Sequence, residues 1–387
     1  MKNILIINQS SELYGADKAL LELIDNFPTE FTPIVVLENE GPLKEILLQK
    51  KIKVIKCPVI KVYKSIFSFR GIFQLILDTF KGLYILRKET KNLKIDIVHS
   101  NAISVLIGAF YSFIFRKKHL WHVHEIIENP KFIAHLYPKL VSFFSDKIIF
   151  NSHASYLQFL KIKPSIESKS QVVYNGQNRL VPFATENQID EIKEHLFKAP
   201  NKTIIGLIGR INQWKGHYIL LDAFYNIHKK HPSTHLVFVG SAPPGQDHYL
   251  HQLEQMIDAY QLNSYVTIID FQTEIWPIYD AIDISVVPSI LPEPFGLVAT
   301  EAMLSCNPVV ASNHGGLSEI LIDNVTGFYV EPRNQKDLEA KIEILIENPE
   351  LAKKMGLSGN KRVKEFFSTD KYTKGVENAY NDLLKLS

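Results

Sequence analysis

At 387 residues, with 46% hydrophobic and 22% charged side chains, the chain is long enough for two domains with full cores. Its two cysteines, Cys57 and Cys306, lie far apart in sequence and show no metal-ligand spacing, so a reducing compartment fits best. The net charge of +2 conceals an asymmetry: residues 1–180 carry 25 Lys/Arg against 15 Asp/Glu, and residues 181–387 carry 18 against 26.

The N-terminal sequence MKNILIINQSSELYG lacks the apolar region and cleavage site of a signal peptide. No run approaches the roughly 18 apolar residues that would span a bilayer. A cytoplasmic protein is expected. Lys2–Asn8 reads as a buried parallel strand, followed by the loop Gln9–Tyr14, Gly15, and a helix over about 16–25. This strand–glycine–helix start has the shape of a nucleotide-binding half, although G-x-G-x-x-G is missing. Gly15 serves there either as a plain turn residue or as a point of close ligand approach.

Strands are expected at 33–37, 52–57, 96–100, 120–124, 147–151 and 171–174, with helical patterns between them. That alternation predicts a parallel sheet covered on both faces. Residues 44–94 hold 13 basic and 3 acidic side chains, so the whole positive excess of the first half lies in this stretch. Within it, 65–91 has helical apolar spacing interspersed with Lys/Arg. It reads either as a core-facing helix with a solvated basic side or as a peripheral contact with an anionic membrane.

In Trp121-His122-Val123-His124-Glu125, the two histidines share one face of a strand. As a metal pair they would need further ligands, and a satisfied buried histidine is the ordinary alternative. The carboxyl ends of strands line the ligand crevice of an open α/β sheet, so this strand end is a candidate site. Residues 177–200 are polar, include Pro182 and Pro200, and read as a linker with a poorly specified helix.

A second sheet is expected from Thr203. Its first strand, 203–209, leads into Arg210-Ile-Asn-Gln-Trp-Lys215-Gly216, where two cations around a loop are placed to clamp a diphosphate. Strands follow at 235–240, 266–269, 284–287, 307–311 and 324–330. Between 284–287 and 307–311 lies SILPEPFGLVATEAML, with a helix expected over 296–304. The helix start at Phe295, Gly296 and Leu297 offers unpaired N–H groups suited to phosphate, and Gly296 permits close approach. Carboxylates beside a phosphate would repel it, so Glu293 and Glu301 suit sugar hydroxyls. Together these features describe a nucleotide-sugar site.

Glu293-Pro294-Phe295-Gly296, Glu301-Ala302-Met303, Pro308–Ala311 and Gly315-Gly316 with Glu319 resemble the donor-site signature of the retaining glycosyltransferases of family 4, of GT-B fold. Gly209-Arg210 with Lys215-Gly216 resembles that family's G-R-x₄-K-G segment. Val123-His124-Glu125 resembles its V-H-(D/E) motif, and Val173–Gly176 its P-N-G step. Two departures stand out. Tyr14 precedes Gly15 where the family often has paired glycines, and Cys306 stands where it usually has glycine.

The resemblance implies an α/β fold of two Rossmann-like domains with parallel sheets facing a central cleft. Residues 1–180 would bind the acceptor, 190–369 the donor, and a crossover helix at about 370–387 would return to the first domain. It implies a hexosyltransferase working with retention and without a metal ion. The donor would be UDP- or GDP-linked, and the acceptor a glycan or lipid-linked glycan of bacterial surface polysaccharide, lipopolysaccharide or capsule. His124 and Glu293 would be catalytic. Gly15, Arg210, Lys215, Phe295, Gly296, Leu297 and Glu301 would hold the donor. No cofactor and no nucleic acid are expected. The alternatives are a non-catalytic nucleotide-sugar-binding protein and a sugar-nucleotide epimerase of the same fold.

Overall fold

The computed structural model describes residues 1–59 and 69–385. Lys64 and Phe67, which belong to the basic stretch, lie outside the described residues. The chain divides into two units, Met1–Gly176 with Thr369–Ser387, and Gln177–Ser368.

The first unit is built on seven parallel strands: β1 Lys2–Asn8, β2 Phe31–Leu37, β3 Lys53–Lys56, β4 Ile95–Asn101, β5 Lys118–Val123, β6 Lys147–Phe150 and β7 Ser170–Val172. Their order across the sheet is β3-β2-β1-β4-β5-β6-β7. Ile4, Leu5, Ile6 and Ile7 are all fully buried, as expected where helices cover both faces and neither side of a strand meets water. Leu5 and Ile7 join one core and Ile4 and Ile6 the other, which follows from the two-residue period of a strand. Truncating Leu5 to Ala would cost about 2–5 kcal/mol. The helix Thr369–Lys385 returns to this unit and buries Tyr372, Val376, Tyr380 and Leu383 in the second of these cores.

The second unit has six parallel strands: β8 Thr203–Ile208, β9 Thr234–Val239, β10 Val266–Ile269, β11 Ile284–Val287, β12 Val309–Ser312 and β13 Gly327–Val330. Their order is β10-β9-β8-β11-β12-β13. Each sheet reverses direction of strand order once, between β1 and β4 and between β8 and β11. A crevice opens at the carboxyl ends of strands at such a point, because successive crossovers leave on opposite sides.

The segment 177–200 is more ordered than a polar linker. Thr185 and Gln188 form a reciprocal capping box that starts the helix Glu186–Glu191. A wider turn, Ile192–Leu196, then carries Phe197 and Ala199 into the core. Before it, Arg179 makes a bidentate pair with buried Asp280, Nη1 to Oδ1 at 2.5 Å and Nη2 to Oδ2 at 2.6 Å. Its guanidinium lies 4.1 Å from the Phe183 ring centre. A planar cation that is both paired and stacked fixes this segment on its unit. The polar composition of 177–200 hid that anchor, because Asp280 is about a hundred residues away.

Candidate active site

In the second unit, the loops after β8 and β11 meet at the switch point. Asn212 Oδ1 accepts from the backbone N–H of Trp214 at 3.1 Å and of Lys215 at 3.0 Å, which shapes the first loop as an Asx turn. The Ile290 N–H donates to Trp214 O at 2.8 Å and ties the two loops together. Gly216, at φ +85°, starts the helix His217–Lys230, and a Cβ there would lie 2.1 Å from Pro288 O. Only glycine allows both that dihedral and that approach.

Lys215 reaches across this junction. Its Nζ donates to Glu293 Oε1 at 2.5 Å, and Ser289 Oγ donates to the same oxygen at 2.6 Å. Both partners are largely buried, with 13% and 8% of their side-chain surfaces exposed. Burial pushes the Glu293 carboxyl up, but Lys215, the Ser289 hydroxyl and the Arg210 charge outweigh it and hold the group below the usual range. Glu293 is therefore an anion anchored through one oxygen, while Oε2 takes no hydrogen bond among the described residues. The Gly316 N–H donates to Glu293 O at 2.7 Å and holds its backbone. Arg210 is half-buried beside Trp214, with its guanidinium 6.0 Å from the ring centre.

Glu301 lies in a different network. It is 2% exposed in the helix Leu297–Leu304, accepting from Tyr279 OH at 2.9 Å and Gln177 Nε2 at 3.1 Å. Burial first, and then the Glu301 charge, keep the Tyr279 phenol well above its ordinary value, so it stays a donor. Thr300 Oγ1 donates to Gln177 Oε1 at 3.0 Å, which sets the amide so that its NH₂ faces Glu301.

Leu297 begins the helix, half-exposed. Phe295 is 2% exposed and packs on Phe367, so its ring belongs to the core. Gly296 has φ +118°, and a Cβ there would lie 2.6 Å from Leu317 Cδ2. Backbone conformation and packing on Leu317 both require glycine at this position. Cys306 takes φ +59°, the left-handed conformation that follows a helix and favours glycine, which gives a physical reason for glycine at that position.

In the first unit, His124 directly follows β5 and is 7% exposed. A relay of amides fixes it. Asp17 accepts from Asn8 Nδ2 at 2.7 Å, Asn8 Oδ1 from Asn101 Nδ2 at 2.8 Å, and Asn101 Oδ1 pairs with His124 Nε2 at 3.1 Å. Because Asp17 as a carboxylate can only accept, each amide is oriented in turn and Nε2 must carry the proton. Burial holds the His124 pKa down to about 3, so the ring is neutral and Nδ1 is a buried acceptor without a partner. Asp17 also accepts from Ser10 Oγ at 2.5 Å and the Tyr14 N–H at 3.0 Å, shaping the loop that leads to exposed Gly15 at the start of the helix Gly15–Asp25. Glu125 Oε2 accepts from the N–H groups of His124 and Ile103, each at 3.0 Å, and burial pushes its pKa up to about 7.

Arg210, Lys215, Glu293, Phe295, Gly296, Leu297 and Glu301 thus fall in one unit, and Gly15 and His124 in the other. Sequence reasoning missed Asn8, Asp17, Asn101, Ser289, Tyr279 and Gln177. The available signal was polar residues at strand carboxyl ends, which Asn8 and Asn101 both are.

Residues 188–362 match the family described as glycosyl transferases group 1. Among solved structures, HepE of Anabaena in complex with UDP and glucose is 25% identical, with a TM-score of 0.86 over 98% of this chain and 100% of that chain. Among curated proteins, the capsular polysaccharide biosynthesis glycosyltransferase CapM of Staphylococcus aureus is 28% identical over 73% of this chain and 75% of its own length. An uncharacterized glycosyltransferase of Methanocaldococcus jannaschii, MJ1178, is 28% identical over 82% of each. The two parallel sheets correspond to the GT-B fold.

Proposed function

Since the chain belongs to the glycosyl transferases group 1 family and is a glycosyltransferase of GT-B fold, we propose that it transfers a hexose from a UDP-linked donor to a glycan or lipid-linked glycan acceptor with retention. The observation that carries this reading is the Lys215–Glu293–Ser289 cluster at the switch point of the second sheet. It sets a fixed cation beside an anion with one oxygen anchored. The UDP and glucose bound by HepE support the choice of nucleotide, and the role of CapM supports an acceptor in surface polysaccharide.

In this reaction the bond between the sugar C1 and the diphosphate oxygen breaks, and C1 bonds to the acceptor oxygen. The acceptor proton passes to the departing diphosphate. Arg210, Lys215 and the N–H groups at the start of the helix Leu297–Leu304 stabilise the negative charge that develops on the leaving group. Glu293 Oε2 accepts hydrogen bonds from the sugar hydroxyls. In the first unit, the neutral His124 Nδ1 is an acceptor for a substrate hydroxyl. Glu301 accepts from ribose hydroxyls and is oriented for that by Tyr279 and Gln177. A covalent glycosyl-enzyme route needs a carboxylate nucleophile in line with C1. Glu293 is held by Lys215 and Ser289 as a binding group, so same-face attack assisted by the leaving phosphate is the favoured route.

The test is to incubate the protein with a panel of UDP-, GDP- and ADP-hexoses, with and without a membrane-extracted acceptor pool, and assay released nucleoside diphosphate. Release selective for a UDP-hexose and stimulated by acceptor supports the reading. Binding without release would make this a nucleotide-sugar-binding protein. Conversion to an epimeric sugar would make it an epimerase.

A further inference from the structure

The helix Phe69–Thr90 has two very different sides. On the inner side Leu86 is fully buried, and a Cβ on Gly82 would lie 2.8 Å from Ile107 Cδ1. Thr90 Oγ1 shares a 2.7 Å hydrogen bond with Tyr111 OH. The seat of the helix is therefore defined, and so is what it leaves outside. On the outer side Phe73, Ile76, Leu77, Phe80 and Tyr84 are exposed, from 46% for Ile76 to 70% for Tyr84.

At about 100° per residue, these five lie within roughly 60° of one line along the helix. Arg87 and Lys88 continue the same line, whereas Asp78 and Glu89 fall about 140–160° round from it. The described part of this face is apolar and then basic, with its acids turned away. Isolated exposed apolar side chains are ordinary, but a continuous stripe of them marks an interface.

The surface does not end with this helix. The Arg87 guanidinium sits 5.1 Å from the ring centre of Phe115, which closes the helix Leu106–Phe115. That helix exposes Phe113 and Ile114, by 65% and 55%. Phe113 in turn lies 6.3 Å from Phe143, 71% exposed at the end of the helix Lys131–Phe144. Exposed Arg116 follows the first of these helices, and exposed Lys139 lies one turn before Phe143.

We propose that this three-helix face of the first unit is a docking surface for an anionic lipid bilayer. The aromatic and aliphatic side chains would enter the headgroup boundary and the cations would pair with lipid phosphates and carboxylates. A second copy of the chain fits less well, because an isologous contact would bring two copies of the same basic patch, with Arg87, Lys88 and Arg116, into one interface without acids to balance them. Among the described residues no helix is long and apolar enough to cross a membrane, so the association is with the surface of the bilayer. Docking would bring the first unit to a lipid-linked acceptor. That consequence rests on the function proposed above, and the docking itself does not.

The experiment is cosedimentation of the full chain with phosphatidylglycerol-containing vesicles and with neutral phosphatidylcholine vesicles, at low and high salt. The wild type binds the anionic vesicles and is released by salt. Arg87→Gln with Lys88→Gln lowers that binding on the order of tenfold or more, as expected for two cations near such a surface. Phe80→Ser with Tyr84→Ser lowers it as well, while UDP binding by calorimetry stays unchanged in every variant. Equal partition to both vesicle types, absence from both, or a dimer abolished by Phe80→Ser would overturn the proposal. Calorimetry separates that failure from one of the donor-site reading, since vesicle binding survives if only the latter is wrong.

Discussion

Lys215 Nζ and Glu293 Oε1 lie 2.5 Å apart, so two residues with separate expected tasks, one on diphosphate and one on sugar, form a single hydrogen-bonded unit. Removing one partner leaves the other charge buried with too few compensating bonds. Lys215→Ala should therefore cost about 3–5 kcal/mol of stability and also lower turnover on the order of 10²-fold. Lys215→Met combined with Glu293→Gln should recover much of the stability and none of the activity. Denaturant midpoints and turnover measured on the three variants check this. A stable Lys215→Ala protein would show that the pair is not coupled as described.

Arg210 behaves differently. It is half-buried beside Trp214, and it acts on Glu293 through its charge. Arg210→Ala should lower turnover on the order of 10²-fold while changing stability by no more than about 1 kcal/mol. A variant with near-full turnover would remove Arg210 from the leaving-group site.

The two glutamates divide by network. Glu301→Gln disturbs the bonds from Tyr279 and Gln177 and should weaken UDP binding in calorimetry. Glu293→Gln should bind UDP almost normally and fail in transfer. Equal UDP affinity in both variants would contradict the division.

Much of this was legible in the sequence, and the reason is local. Lys2–Asn8, Val266–Ile269 and Ile284–Val287 are short runs dominated by Ile, Val and other β-forming residues, and each is a strand over that span. The E-x₇-E segment and the Arg210–Gly216 loop likewise carry their signal within a few neighbouring residues. What stayed hidden depends on distant pairs. Asn8 and Asn101 are 93 residues apart, and Arg179 and Asp280 are 101 apart. Which face of Phe69–Thr90 lies outside is equally a tertiary fact, fixed by Ile107 against Gly82. The helical period alone did not reveal that Phe113 and Phe143 extend that face.

The relay from Asp17 sets which nitrogen of His124 carries the proton. Asp17→Asn can donate as well as accept, so it removes the fixed polarity and permits the other tautomer. Transfer should fall on the order of 10-fold or more, the scale on which outer hydrogen-bond partners act. Nitrogen-15 NMR of His124 should show a protonated Nδ1 fraction that the wild type lacks. An unchanged tautomer with reduced transfer would assign Asp17 to loop structure alone.

Buried histidines also make stability depend on pH. Burial, the largest cause for each, holds His99 and His124 down to about 3 and His119 to about 4, with His122 well below its ordinary value. The unfolded chain takes up these protons near pH 6.5 and the folded one does not, so stability is lost as pH falls from about 6.5 toward 3. Glu125, raised to about 7, acts in the opposite sense, its contribution being lost as pH rises from about 4.5 to 7. His217, held by burial at about 3, and His235, at about 4, add to the histidine side, and Asp17, raised by burial, adds to the carboxyl side. The histidines are the more numerous, so urea midpoints should fall between pH 6.5 and 5. A flat profile, or one unchanged in His99→Asn, would contradict this account.

The most direct test of the central claim is the anomeric configuration of the sugar first formed from UDP-α-glucose. It is read by proton NMR as UDP is released, before mutarotation or with a trapped acceptor. The account predicts an α-configured product in the wild type and none in Glu293→Gln. A β-configured product, or UDP release with no new glycosidic bond in the presence of acceptor, would contradict it.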